Sequence, residues 1–136
     1  MQDALRPYRF LEHGGEAEVE LVAPTAIGVF EAGLAALCEL LETGDAGASV
    51  TFDVDLAESD RALLLAAWLN EFVYLAEIEQ FIPERVLSAE LTDGRIRATV
   101  AGRRSHPRSI VKAVTLNDLR FDRDGGVWRA RVVLDV

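Results

Sequence analysis

The sequence is short of the residues on which several kinds of chemistry depend, because it has one cysteine, one lysine and two histidines. With Cys38 alone, an intramolecular disulfide and a zinc site made of several thiolates are both excluded. The two histidines, His13 and His106, lie far apart in the sequence and offer little material for a catalytic triad. No glycine-rich phosphate loop precedes a helix. A stand-alone hydrolase is therefore disfavoured.

Long apolar stretches are absent as well. No run reaches the roughly 18 uninterrupted apolar residues of a membrane-spanning helix, and the first ten residues lack the apolar core of a signal peptide. We therefore expect a cytoplasmic protein that has no membrane partner. Half of the 136 residues are hydrophobic, which argues against disorder and suits a single domain over residues 1–136.

Positive charge is also scarce: 14 basic residues stand against 23 acidic ones, and the formal net charge is −9. This balance disfavours a protein whose own surface holds nucleic-acid phosphates. The charge is unevenly spread, because residues 1–90 carry 18 acids and 4 bases whereas residues 91–136 carry 5 acids and 10 bases. We expect two faces of different charge.

Two periodicities divide the chain into short strands and two helices. Apolar residues spaced by three and four predict one helix that opens at Thr25, reaches Leu41 and stops at Gly44. They predict a second helix over residues 60–80, capped by Ser59 or Asp60 and ended by Pro83. Polar and apolar residues alternate, or lie in short strand-like runs, over residues 9–11, 16–21, 50–56, 85–92, 95–101, 111–121 and 127–135.

Turn signals join several of these strands into hairpins, at Gly14-Gly15, Asp93-Gly94 and Gly125-Gly126, and residues 103–110 are predicted to form a loop. Strands that are joined by tight turns pair in antiparallel fashion. The pattern therefore predicts an α+β fold, with a mainly antiparallel β-sheet and two packed α-helices.

A dense negative spot is expected where two strand ends carry acids. Glu16 follows the first glycine turn, Asp135 lies near the other end of the sequence, and Val136 adds an α-carboxylate. Carboxylates are the ligands that Mg²⁺ and Ca²⁺ prefer, so a divalent-metal site is one interpretation. The alternative is that Glu16, like the other acids of its strand, lies on a solvated face and that Asp135 pairs with an arginine.

Lys112 stands out because the other 13 basic residues are all arginine. The lysine ammonium is a compact, flexible point charge, whereas the guanidinium is a flat and bulky fork. A single lysine inside a strand pattern indicates a site too tight for arginine. The alternative, that one lysine among so many arginines has no special role, stays open.

Three segments of the sequence resemble the archease family. Residues 8–13 (YRFLEH), followed by a short turn and an acid, are similar to the family pattern aromatic-x-E-H-T-A-D. Residues 67–72 (AWLNEF) are similar to its helical W-L-N-E-L. Residues 111–115 (VKAVT) and 126–136 (GVWRARVVLDV) are similar to its V-K-A-V-T-Y-H and its closing W-x-A-R-V-V-F/L-D-I/V. The order and spacing of the segments fit over essentially the whole chain.

The resemblance implies a function in RNA joining. Archeases are small α+β proteins that assist RtcB-type RNA ligases, which join RNA ends through a nucleotidylated intermediate with GTP and a divalent metal. An archease is not itself an enzyme; it promotes ligase guanylylation and turnover in tRNA splicing or RNA repair, and it touches RNA only indirectly. The expected partner is accordingly an RtcB-type RNA ligase.

The resemblance also implies roles for individual residues. The metal ligands of the family fall on Glu16, Asp135 and Val136, and the cation is Ca²⁺, Mg²⁺ or Mn²⁺. The functional lysine falls on Lys112, as a contact to the ligase or its nucleotide, and His13 is a further candidate.

This chain departs from the family pattern at two places. Gly14-Gly15-Glu16 replaces T-A-D, and Leu116-Asn117 replaces the Tyr-His pair. Because glutamate is one methylene longer than aspartate, the geometry of the ligands must change. The alternative function is therefore a diverged protein-binding or chaperone-like module with the same fold and no working metal site.

Overall fold

The structure is a computed structural model that describes residues 7–44, 47–108 and 111–136, without the side chains of Glu12 and His13. Within these residues the order of elements is ββαβαββββ. The elements are β1 (Tyr8–His13), β2 (Glu16–Ala23), α1 (Ala26–Leu41), β3 (Ser49–Ala57), α2 (Arg61–Glu79), β4 (Phe81–Leu91), β5 (Arg95–Arg104), β6 (Ala113–Asp124) and β7 (Val127–Asp135).

The strands form two antiparallel sheets rather than the one that the sequence pattern suggested. A four-stranded sheet has the order β1-β2-β7-β6, and a three-stranded sheet has the order β3-β5-β4. The predicted α+β class with two packed helices is confirmed. The alternation of a strand identifies its buried face but not its partner, which is why the division into two sheets was not predictable.

Both helices begin at predicted caps. The side chain of Thr25 accepts a hydrogen bond from the Gly28 amide at 3.0 Å, and that of Asp60 accepts one from the Leu63 amide at 2.8 Å. The prediction that Pro83 ends α2 was wrong. The helix stops at Glu79, with Gln80 in the left-handed conformation as its cap, and Pro83 lies within β4. Proline is tolerated there because β4 is an edge strand and its pairing is irregular at this point.

The predicted hairpins are confirmed, although several strand ends differ from the expected ones. Gly125 and Gly126 both have positive φ, of 59° and 86°, as a tight turn between β6 and β7 requires. Strand β5 extends to Arg104, so the predicted loop begins two residues later. Residues 109 and 110, which complete the predicted loop, lie outside the described part of the chain.

The two helices pack against both sheets and against each other around one apolar core. Trp68 of α2 is fully buried in it, and its indole N–H donates to the Phe30 carbonyl of α1 at 3.0 Å. Its ring makes edge-on contacts with Phe30 and Phe72, at centroid distances of 5.8 and 4.8 Å. These contacts fix how α2 is rotated, and hence which of its polar residues reach β6. No helix among the described residues is both long enough and apolar enough to cross a membrane.

The cysteine of α1 is expected to react slowly with alkylating reagents. Burial raises the pKa of the Cys38 thiol, and the carboxylates of Glu42 and Glu84 raise it further, whereas Arg103 lowers it. The thiolate is the nucleophile, so a raised pKa leaves less of the reactive form at pH 8. The iodoacetamide rate of the folded protein, followed by mass spectrometry, should lie at least about tenfold below that of the urea-unfolded chain. Equal rates in the two states would contradict this.

Candidate functional site

The residues predicted to form a site meet at one end of the four-stranded sheet. In the strand register His13 is opposite Glu16, Glu16 is opposite Asp135, and Asp135 is opposite Ala113. These four residues form one row across β1, β2, β7 and β6. Residues that are far apart in the sequence thus lie side by side. Lys112 directly precedes Ala113 in the chain and is therefore next to this row.

Glu16 and Asp135 are a cross-strand pair of like charge. The Val136 amide donates to the Gly15 carbonyl at 3.2 Å, which makes the Glu16–Asp135 pair a non-hydrogen-bonded one. In such pairs the Cα atoms are only about 4.5 Å apart and the side chains are at their closest. Both residues are exposed, and neither forms an ion pair within the described part of the chain. Opposed carboxylates without a cation are destabilising.

The other two glutamates of β2 both pair with arginines. Glu18 forms an ion pair with Arg131 at 3.1 Å. Glu20 lies between two arginines, with Arg9 at 2.6 Å and Arg131 at 3.9 Å. Glu16 differs from both because the residue facing it on β7 is an acid.

Main-chain hydrogen bonds hold Lys112 and Val136 at the same place. The Lys112 amide donates to the Asp135 carbonyl at 2.8 Å, and Val136 is bound to the glycine turn through Gly15. The Lys112 side chain is exposed and makes no ion pair with a described residue. The main chain of Lys112 therefore lies beside the carboxylate pair, and its exposed side chain is not engaged by a described acid.

Asn70 of α2 supports this site, although no role was predicted for it. Its side-chain oxygen accepts from the Val114 amide at 3.0 Å, and its side-chain nitrogen donates to the Val114 carbonyl at 3.5 Å. Because β6 is an edge strand, Asn70 of α2 takes the place of a missing strand neighbour, two residues from Lys112. The motif W-L-N-E contained the signal, since a carboxamide on a helix otherwise rich in apolar residues needs a partner when it is half-buried.

A large bulge in β6 follows the lysine segment. Thr115 pairs with Val133 and Arg120 pairs with Arg131, so four residues of β6 stand against one of β7. Within the bulge Asp118 has a φ of 54°, which is rare for a residue other than glycine. Leu116 and Asn117, where this chain departs from the family pattern, open the bulge. Bulges of this kind frequently lie beside functional sites.

The oxygen ligands that the site offers suit a hard divalent cation, but they are few. Glu16 and Asp135 supply carboxylate oxygens, and the Val136 carboxylate was predicted to add another. No group of three His, Cys, Asp or Glu side chains that could hold a metal occurs in the part of the chain that the structure describes. His13 is opposite Glu16 in the register, but its side chain lies outside the description. Oxygen ligands from solvent complete many such sites.

Together these features define a class of small α+β protein, in which two helices pack against two antiparallel sheets and a lysine follows a strand end beside a carboxylate pair. Residues 8–136 match the model of the archease protein family, and the chain belongs to that family. Among curated relatives, the archease of Methanosarcina acetivorans is 29% identical over 141 residues, covering 96% of this chain and 97% of the relative. That of Pyrococcus furiosus is 26% identical over 142 residues, covering 97% and 100%.

Two solved structures share the fold. The solution structure of protein 1598 of Methanobacterium thermoautotrophicum has a TM-score of 0.72 and 22% identity, covering 97% of this chain and 100% of that one. The crystal structure of an archease of Thermotoga maritima, described as a possible chaperone, has a TM-score of 0.67 and 20% identity, covering 99% and 100%.

Proposed function

We propose that this protein is a non-catalytic activator of an RtcB-type RNA ligase and that it carries a divalent cation at the end of its four-stranded sheet. The observation that supports the proposal is the Glu16–Asp135 pair, two like charges in direct register with no cationic partner among the described residues. A close pair of carboxylates with no internal compensation favours an external cation.

Each group at the site has a distinct task in this proposal. Glu16, Asp135 and the Val136 carboxylate would hold Ca²⁺, Mg²⁺ or Mn²⁺, whose charge stabilises phosphate oxygens. The ammonium group of Lys112 reaches out beside them and steadies a nucleotide phosphate or a carboxylate of the ligase. The protein acts on the ligase and needs no RNA contact of its own, which agrees with its net charge of −9.

A guanylylation assay tests the proposal. The ligase of the same organism is incubated with labelled GTP and a divalent metal, with and without this protein, and both the rate of nucleotide transfer to the ligase and the number of joining cycles are measured. Faster guanylylation and repeated turnover are expected. An unchanged rate and turnover at equimolar protein would eliminate the proposal.

Lys112→Ala is expected to reduce ligase stimulation by about tenfold to a hundredfold without weakening cation binding, because it removes a positioned charge and no ligand oxygen. Lys112→Arg should restore only part of the activity, since the guanidinium is flatter and bulkier. Stimulated guanylylation and titration calorimetry are the two measurements. Arg108→Ala is the matched control, because Arg108 is an exposed base of the neighbouring loop. If both alanine variants lost the same activity, the effect would be one of bulk charge.

A protein-binding or chaperone-like module without a metal is the second candidate. It is favoured by the absence of a three-residue metal cluster from the described residues and by the replacement of the family's Tyr-His pair with Leu116 and Asn117. Titration calorimetry with Ca²⁺, Mg²⁺ and Mn²⁺ separates the two candidates. Binding that Asp135→Ala abolishes favours the activator with a metal, whereas no binding of any of the three cations favours the module.

A further inference from the structure

Three of the four large apolar side chains that are exposed in the described part of the chain belong to α2 and β6, on either side of the seam where these two elements pack together. Tyr74 (55% exposed) and Ile78 (57%) are on α2, and Leu116 (62%) is on β6. Asn70, which joins α2 to β6 through Val114, lies between Leu116 and the two helical residues in this seam. The fourth, Leu87 (49%), belongs to the three-stranded sheet. Tyr74 and Ile78 are neighbours on one side of α2, four residues apart. Exposed apolar groups scattered singly need no explanation, but a neighbouring pair does.

The seam leads to the candidate site. Helix α2 runs antiparallel to β6, because Arg61 lies over Phe121 at 5.9 Å and Asn70 binds Val114. One helical turn beyond Asn70 advances about 6 Å, and two residues back along a strand advance about 6.6 Å. Tyr74 is therefore level with Lys112, and Ile78 continues past it.

Acidic residues rim the helical part of the seam. Glu77 is exposed between Tyr74 and Ile78, and Glu71 lies one turn earlier on the same helix; neither forms an ion pair with a described residue. Beyond Lys112 come the carboxylates of Glu16 and Asp135. A complementary partner thus has an apolar pocket bordered by basic groups. A surface that holds RNA phosphates is basic, so an RNA-binding enzyme meets this requirement.

We propose that Tyr74 and Ile78, with Leu116 at the far end, form the apolar anchor through which this protein docks onto its RNA ligase, next to the site of Lys112 and Asp135. This inference rests on the proposed function and adds the docking surface to it. Tyrosine is one of the residue types that most often dominate the binding energy at interfaces, and the contacts around such a residue serve to exclude water from it. The anchor supplies affinity, and the charged site supplies stimulation.

The binding of the purified ligase to the full-length protein tests this division of roles. Tyr74→Ser and Ile78→Ser, singly and together, are compared with Leu87→Ser, which removes a side chain of the same kind and similar exposure elsewhere. Thermal melting verifies that each variant is folded, as expected for surface changes. By interferometry in EDTA, each anchor variant should weaken ligase binding by about tenfold or more. Leu87→Ser should bind like the wild type.

The possible outcomes separate this inference from the proposed function. If the wild type stimulates guanylylation but the anchor variants bind the ligase as tightly as Leu87→Ser, the docking surface is wrong and the activator function stands. If sedimentation shows that the wild type dimerises and the anchor variants do not, while ligase binding is unchanged, the seam is a contact between two copies and the proposal is overturned. If the wild type neither binds nor stimulates the ligase, both fall.

Discussion

Asp135→Asn is expected to change the free energy of unfolding in opposite directions with and without a divalent cation. In EDTA the variant should be more stable than the wild type by about 0.2–1 kcal/mol, because it removes one of two opposed like charges. With Ca²⁺, Mg²⁺ or Mn²⁺ at about 100 times the dissociation constant, the wild type should gain about 2.7 kcal/mol and the variant almost nothing. With the cation the wild type should therefore be the more stable of the two proteins, whereas in EDTA the variant should be.

Urea denaturation followed by circular dichroism, with EDTA and then with each cation, measures these differences. Asp122→Asn is the matched control, because Asp122 is an exposed acid of the same sheet that stands opposite Arg129 rather than another acid. This control should be no more stable than the wild type in EDTA and should gain as much from the cation. A cation effect of equal size in the wild type and in Asp135→Asn would show that Asp135 holds no metal. Glu16→Gln should behave like Asp135→Asn if the two carboxylates act as a pair.

Local patterns in the sequence predicted the elements of the fold well, because the physics that sets them is local. The alternation in β2, the cap at Asp60 and the glycine turn before β7 each depend on a few neighbouring residues. The end of α2 was predicted within one residue, but its cause was misassigned, because Pro83 carries a strong local signal, whereas the left-handed cap at Gln80 has no comparable one. The division into two sheets depends on strand pairing between distant segments, which no local pattern encodes.

The candidate site was predictable in composition but only partly in geometry. Lys112 and Asp135 were found by their rarity and position and by the resemblance to a known family, and the strand register brings their backbones together. Charge alone did not separate Glu16 from Glu18 and Glu20; the difference is that Asp135 lies opposite Glu16 while Arg131 pairs with the other two. Such differences come from the register between β2 and β7.

Asn70→Leu is expected to impair the site from a distance. The substitution keeps the size of the side chain but leaves the Val114 amide and carbonyl without their partner, which should cost about 1–3 kcal/mol of unfolding free energy. Because Lys112 lies two residues from Val114, ligase stimulation should fall by about tenfold even when the variant is fully folded. Asn70→Asp keeps the acceptor for the Val114 amide and loses the donor, so it should lie between the wild type and Asn70→Leu in both measurements.

A control that destabilises the protein away from the site distinguishes positioning from general destabilisation. Ile96→Val removes one methylene from the core beneath the three-stranded sheet and should cost about 0.5–1.5 kcal/mol without touching β6. At a temperature where both variants are folded, Ile96→Val should stimulate the ligase normally and Asn70→Leu should not. Combining Asn70→Leu with Lys112→Ala should give little further loss of ligase stimulation, since both changes act on the same ammonium group. Lys112→Ala removes the group, and Asn70→Leu removes its positioning. If the loss of stimulation in the double variant equals the product of the two single losses, Asn70 does not act through Lys112.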